Sequence, residues 1–185
     1  LLQQDAERAP FTVEFVEDPR VIDVGGVQTR IVLDRVDRLA DGTFAVIDYK
    51  TGASARPAAW MGERPELPQL PLYVRAIGQE QVSAVAFGVV CTGSTEYRGF
   101  ARDGEVFPQL KPFDAASAPF KDYASWADLL QAWNRRLESL AREHAQGDAR
   151  LAPNPARACR YCHLRGVCRS AQALMEPEEG DDAAG

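Results

Sequence analysis

Two short apolar runs joined by an Asp-Gly turn constrain this chain more than anything else in it. Residues 29–36 and 43–50 read as strands, and Ala40-Asp41-Gly42 between them supplies the turn that favours a tight hairpin. In a strand, successive side chains alternate faces. Asp48 and Lys50 therefore share one face, and Tyr49 points to the other. If the two runs pair, Asp34 joins that face, so two carboxylates and one amine converge. Two clustered acids repel unless a cation joins them, and one pKa rises. The set suits a hard divalent cation with a cationic helper beside it, chemistry fitted to phosphodiester hydrolysis. Asp34 and Asp48 would be the carboxylate ligands. Tyr49 would lend only its backbone carbonyl, since its side chain faces away.

The rest of the chain builds around this hairpin. Residues 11–17 alternate and read as a strand, 23–26 as a turn, and 27–37 as a second strand. Residues 53–68 are rich in Ala, Pro and Gly and read as a loop. Gln69–Ile77 reads as a helix, with Leu70, Tyr73, Val74 and Ile77 at helical spacing; Pro68 and Pro71 fit only its first turn. Val82–Cys91 is a continuous apolar run, so a buried strand, and 97–102 pairs with it. Trp126, Leu129, Leu130, Trp133, Leu137 and Leu140 form one stripe of a helix over 123–146, ended by Gly147. The order predicts an α/β fold with a mixed central sheet flanked by helices, not a doubly wound one. The absence of a glycine-rich phosphate loop weighs against a nucleotide-triphosphate or dinucleotide site.

At 185 residues the chain suggests one domain of ordinary size. It has no apolar run of about 18 residues, so no transmembrane helix and no membrane partner are expected. It has no basic-then-apolar leader, and we expect a cytoplasmic protein. It opens at Leu1 without Met, which reads as part of something longer. Net charge is 21 − 27 = −6, against a nonspecific nucleic-acid binder. The distribution differs from the total. Residues 133–170 carry eight arginines and three acids, a local +5 compatible with DNA contact or with a solvated helix face. Residues 173–185 read as an acidic disordered tail.

Residues 151–172 form a Cys-rich segment in which Cys159, Cys162 and Cys168 are spaced for a metal rather than for disulfides. Zinc is one candidate, with His163 or Cys91 as fourth ligand. Cys91, ending a buried strand, reads instead as a small core residue.

Taken together, Leu33-Asp34-Arg35-Val36-Asp37, Asp48-Tyr49-Lys50-Thr51-Gly52 and Gln69-Leu70-Pro71-Leu72-Tyr73 resemble the RecB-type branch of the PD-(D/E)XK nuclease superfamily. That branch includes the nuclease domains of RecB and AddB and the CRISPR-associated exonucleases. Its pattern runs Gly-x-x-Asp-Arg-x-Asp, then Asp-Tyr-Lys-Thr-Gly, then Gln-x-x-x-Tyr. The resemblance implies a restriction-endonuclease-like core over residues 1–150 and a Mg²⁺- or Mn²⁺-dependent deoxyribonuclease, an exonuclease of DNA repair or recombination. By it Asp34 and Asp48 are metal ligands, Lys50 is the catalytic lysine, and Gln69 and Tyr73 position DNA or the lysine. It implies DNA as partner, with a helicase subunit or domain alongside. It also implies that Cys159, Cys162 and Cys168 hold a [4Fe–4S] cluster with an upstream fourth cysteine. The branch usually carries an upstream helix with a metal-binding His. The only histidines here are His144 and His163, far downstream, and Glu17 is the nearest acidic stand-in. Ile31 takes the place of the pattern's glycine and is expected to narrow the approach to its strand. The alternative reading is an inactive DNA-binding or scaffolding module stapled by a Cys-bound metal.

Overall fold

The computed structural model describes residues 1–52, 55–91, 93–115, 119–148, 150 and 163–168. They fall into two compact units, Leu1–Gly147 and Asp148–Gly185. The first unit holds a six-stranded sheet with its strands in chain order: β1 (Phe11–Val24), β2 (Val27–Leu39), β3 (Phe44–Lys50), β4 (Val82–Cys91), β5 (Ser94–Ala101) and β6 (Lys111–Pro112). Neighbours are antiparallel except β3–β4 and β5–β6, which are parallel. Helix α1 (Leu2–Ala6) precedes the sheet, α2 (Gln69–Ile77) makes the crossover between β3 and β4, and α3 (Trp126–Ala145) follows β6. In the second unit the described residues include a short helix, α4 (Arg165–Cys168). Among the described residues no helix is long and apolar enough to cross a membrane. The expected mixed sheet with flanking helices is the fold observed.

Local chemistry explains the hairpins. Gly25 and Gly26 take φ of 58° and 90°, the left-handed pair that a two-residue β-turn needs, and Val24 pairs with Val27. A Cβ on Gly25 would lie 2.8 Å from the Glu138 carbonyl oxygen, so only glycine lets this hairpin tip meet α3. At the next turn, Leu39 N–H donates to the Thr43 carbonyl, and the Asp41 carboxylate accepts from the Thr43 N–H and hydroxyl. β1 runs on to Val24, well past the 11–17 expected from alternation. The alternation fails at Glu17-Asp18, and Pro19 argues against a central strand. β1 is the sheet's edge, where a proline costs no ladder bond.

Each sheet face carries its own core. On one face Val36, Phe44, Val46, Val85 and Phe87 pack beneath α2 and α3. Trp60 lies at the centre of this layer, 1% exposed, with its ring against Phe87, Phe120 and Trp133. It sits on a 3-10 turn, Pro57–Trp60, inside the stretch read as plain loop. A single turn is too short to show a period. Ile31 also packs into this core at 8% exposure. On the other face Leu39, Ala45, Ile47, Ala86, Phe107 and Leu110 form a smaller cluster, closed by Leu1 and Phe11. Helix α3 starts at Trp126, not 123, because Ser125 caps it: its hydroxyl accepts from the Asp128 N–H at 3.1 Å. β5 begins at Ser94, three residues before the expected start.

Candidate active site

The β2–β3 ladder pairs Arg38 with Phe44 and runs to Arg35 with Ile47, where it ends. The next residues outward are Asp34 and Asp48. Instead of a backbone pair, the Tyr49 N–H donates to Asp34 Oδ2 at 2.9 Å. On the other side of β2, the pairs Val16–Arg35 and Asp18–Leu33 keep one register but skip Glu17 and Asp34. Glu17 has φ 46°, the one positive φ at a non-glycine among the described residues. Asp34 thus lies where β2 releases both neighbours, free to turn its carboxylate toward α2.

Asp48 ends the buried part of β3 and is 0% exposed. Its Oδ2 forms an ion pair with Lys50 Nζ at 2.6 Å, and among the described residues neither of its oxygens accepts a hydrogen bond. Burial pushes its pKa up to about 6; Lys50 opposes the rise and Asp34 adds to it. A buried carboxylate oxygen without a donor is costly unless something else takes its lone pairs.

A ring of hydrogen bonds closes the site. Lys50 Nζ donates to Gln69 Oε1 at 2.8 Å, Gln69 Nε2 donates to the Tyr73 hydroxyl at 3.0 Å, and that hydroxyl donates to Asp34 Oδ1 at 3.1 Å. Gln69 and Tyr73 meet because residues four apart on a helix share a face. Burial and then Asp34 push the Tyr73 pKa well above its ordinary value, so its hydroxyl stays a neutral donor. Lys50 Nζ donates to Gln69, is ion-paired with Asp48 and lies 5.9 Å from the centre of the Phe87 ring, and an ammonium with three donors can also meet an anionic oxygen such as a phosphate's. Nothing in the ring is long-range luck: α2 packs on β3 through Tyr73 and Val74, both 1% exposed.

The five residues expected at the site, Asp34, Asp48, Lys50, Gln69 and Tyr73, are therefore brought together. The Tyr49 side chain lies on the opposite face, 39% exposed, with its hydroxyl accepting from Arg35 Nη1. Glu17 stands across from Asp34 by register and is exposed. Among the described residues, however, no three His, Cys, Asp or Glu side chains gather at metal-binding spacing. A cation here would rest on two carboxylates and take its remaining oxygens from water, backbone or substrate, as Mg²⁺ commonly does. The orphaned Asp48 oxygen beside Asp34 fits that donor set. Cys159 and Cys162 lie outside the described residues, as does the acidic tail. Cys168 is a half-buried free thiol, and Cys91 is half-buried against the core with its Sγ 3.5 Å from the Thr51 carbonyl.

Within the arginine-rich stretch the structure describes some of the arginines, and Arg135, Arg142 and Arg150 among them are exposed. Arg136 pairs with Glu63 at 2.9 Å, and Arg142 donates to the Glu138 carbonyl. Sequence reasoning missed a second charged cluster on the reverse face, formed by Asp5, Arg8, Arg35 and Asp37. Its signal was present in the alternation of Asp34-Arg35-Val36-Asp37, which sends Arg35 and Asp37 away from Asp34. The PD-(D/E)XK nuclease superfamily is the family whose sequence model matches this chain, over residues 1–169. No curated protein matches it.

Proposed function

The chain belongs to the PD-(D/E)XK nuclease superfamily, whose shared activity is metal-dependent phosphodiester hydrolysis, and on that footing we propose that it is a DNA nuclease domain with its active centre at Asp34, Asp48 and Lys50. The observation that carries this reading is the buried Asp48 carboxylate, one oxygen ion-paired to Lys50 and neither hydrogen-bonded among the described residues. Asp34 and Asp48 would hold Mg²⁺ or Mn²⁺, with the Tyr49 backbone carbonyl as a further oxygen donor. Such a cation polarises the phosphate and makes the attacking water more acidic. The side chains do the remaining work. Lys50 presents its ammonium to the phosphate and stabilises the charge that grows there. Gln69 aims Lys50, and Tyr73 aims Asp34, through the ring of hydrogen bonds.

The sequence motifs favour the RecB- and AddB-like branch, exonuclease action, and a role beside a helicase in repair or recombination. The same resemblance assigns Cys159, Cys162 and Cys168 to a [4Fe–4S] cluster, with zinc as the competing metal. Incubation of the chain with single- and double-stranded DNA and Mg²⁺ or Mn²⁺ tests the reading. Cleavage that Asp48→Ala abolishes and chelation stops is the expected result. Metal binding at Asp48 with no cleavage of either substrate would instead support the scaffolding module.

A further inference from the structure

We propose that Arg35 and Tyr49 are positioning residues that set the Asp34–Asp48 pair from the reverse face of the sheet, an inference resting on the nuclease reading above. Beyond Arg35–Ile47 no backbone pair joins β2 to β3. Asp34 is tied to β3 through the Tyr49 N–H at Oδ2 and to α2 through the Tyr73 hydroxyl at Oδ1, so what fixes Tyr49 sets the β3 side of that grip, the side that carries Asp48.

Tyr49 is fixed at both ends. Its ring lies over Gly88 of β4, where a Cβ would stand 2.7 Å from Tyr49 Cδ1. Its hydroxyl accepts from Arg35 Nη1 at 3.1 Å. Arg35 is itself immobilised. Nε and Nη2 make a forked pair with the two Asp37 oxygens at 2.7 and 2.9 Å, and Nη1 also reaches Asp5 Oδ2 at 2.9 Å. Asp37 is 0% exposed, and Asp5 takes further bonds from Arg8 and Tyr97. A guanidinium held this way is a rigid plane, which a lysine could not reproduce. Partners of ligand-bearing groups tune affinity this way in metal sites, by roughly 10- to 100-fold when lost.

The competing account is that the cluster only stabilises the fold. Mn²⁺ calorimetry on the full chain separates the two, using wild type, Asp48→Ala, Tyr49→Phe, Gly88→Ala and Leu110→Ala, with thermal unfolding of each. Leu110 lies in the core of the same face and takes part in none of the hydrogen bonds at Tyr49 and Arg35, so it reports plain loss of stability. The expected result is Asp48-dependent binding that weakens about tenfold in Tyr49→Phe and in Gly88→Ala, whose added Cβ shifts the ring, but not in Leu110→Ala. Binding in Tyr49→Phe equal to wild type overturns the proposal and leaves the nuclease site standing. So does equal weakening in Leu110→Ala. Wild-type chain that shows no Asp48-dependent binding overturns the nuclease reading, and the proposal with it.

Discussion

Asp34 and Asp37 sit three residues apart on one strand and end in two buried charge clusters with opposite character. Asp37 faces the reverse side of the sheet, where both of its oxygens accept from Arg35 and one also from Arg8. Among the described residues the group of that cluster without a hydrogen bond is Arg8 Nη2, and that guanidinium lies within 4 Å of the ring centres of Phe11 and Phe107, at 3.9 and 3.8 Å. Across the sheet, Asp34 joins Asp48, which is equally buried and, among the described residues, has Lys50 as its one ion-pair partner and no hydrogen bond to either oxygen. The reverse cluster balances two acids with two arginines. The front cluster lacks positive charge. A buried acid that the fold fully satisfies serves the fold, and one left unsatisfied is set for an incoming cation.

The sharpest way to break this contrast is to remove one acid from each face. Asp48→Ala should abolish Mn²⁺ binding and reduce cleavage to background while the protein remains folded. Asp48→Asn should raise the thermal midpoint of the metal-free protein at neutral pH, because it removes a poorly satisfied buried charge. Asp37→Ala strands two arginines and should cost about 3–5 kcal/mol of stability. Denaturant titrations of both variants decide it. Equal destabilisation by the two changes would mean the faces do not differ in kind.

Lys50→Ala comes next in size. It should lower cleavage by about 100-fold, as loss of one charge-stabilising donor typically does, with Mn²⁺ binding largely retained. Calorimetry beside a single-turnover cleavage assay reads both quantities. Lost binding with intact cleavage per bound metal would reassign Lys50 from the reaction to the ligand shell.

The two faces should also respond to pH with opposite signs. Asp48 has a folded pKa raised from the ordinary carboxylate value to about 6. The metal-free fold therefore gains from it at low pH and loses that gain as pH rises from about 4 to 6. Metal competes with the same proton, so Mn²⁺ affinity should fall by up to about tenfold per pH unit below 6 and level off above it. On the reverse face, burial alone would raise Asp5, but bonds from Arg35, Arg8 and Tyr97 outweigh it and hold it below the ordinary value. Its contribution is present above that value and is lost as pH falls through the folded pKa. Calorimetry between pH 5 and 7.5 checks the first slope. An Mn²⁺ affinity flat across that range would remove Asp48 from the ligand set.

Much of this was legible in the chain, and the exceptions share a cause. Asp48, Tyr49 and Lys50 could be placed because strand alternation is rigid, and Gln69 and Tyr73 because a helix repeats. The same alternation rule held Arg35 and Asp37, yet Asp5 and Arg8 lie on and after a five-residue helix too short to carry a period. The β6 strand and the Trp60 turn were hidden in the same way. The extent of β1 was masked by Glu17, whose left-handed backbone breaks alternation at the point where β2 frees Asp34. What sequence did not offer was satisfaction: which buried acid is fully bonded and which keeps an open oxygen depends on side chains meeting from distant segments.

Tyr73→Phe tests the finest part of the contrast, because it removes one hydroxyl and no charge. That hydroxyl accepts from Gln69 and donates to Asp34. Its loss leaves Asp34 with the Tyr49 N–H as its one remaining protein donor among these bonds, and leaves Gln69 free to turn its amide away from Lys50. A hydroxyl bond to a carboxylate is charge-assisted and worth about 1.5 kcal/mol or more, so Mn²⁺ affinity and turnover should each fall about tenfold. The phenyl ring still fills its core position, and the thermal midpoint should stay close to wild type. If turnover falls with affinity unchanged, the ring acts by aiming Lys50 through Gln69. If affinity falls with turnover unchanged, it acts by aiming Asp34. Neither quantity moving would show that the Tyr49 N–H alone suffices to hold Asp34, and would shift the weight of positioning to the reverse face.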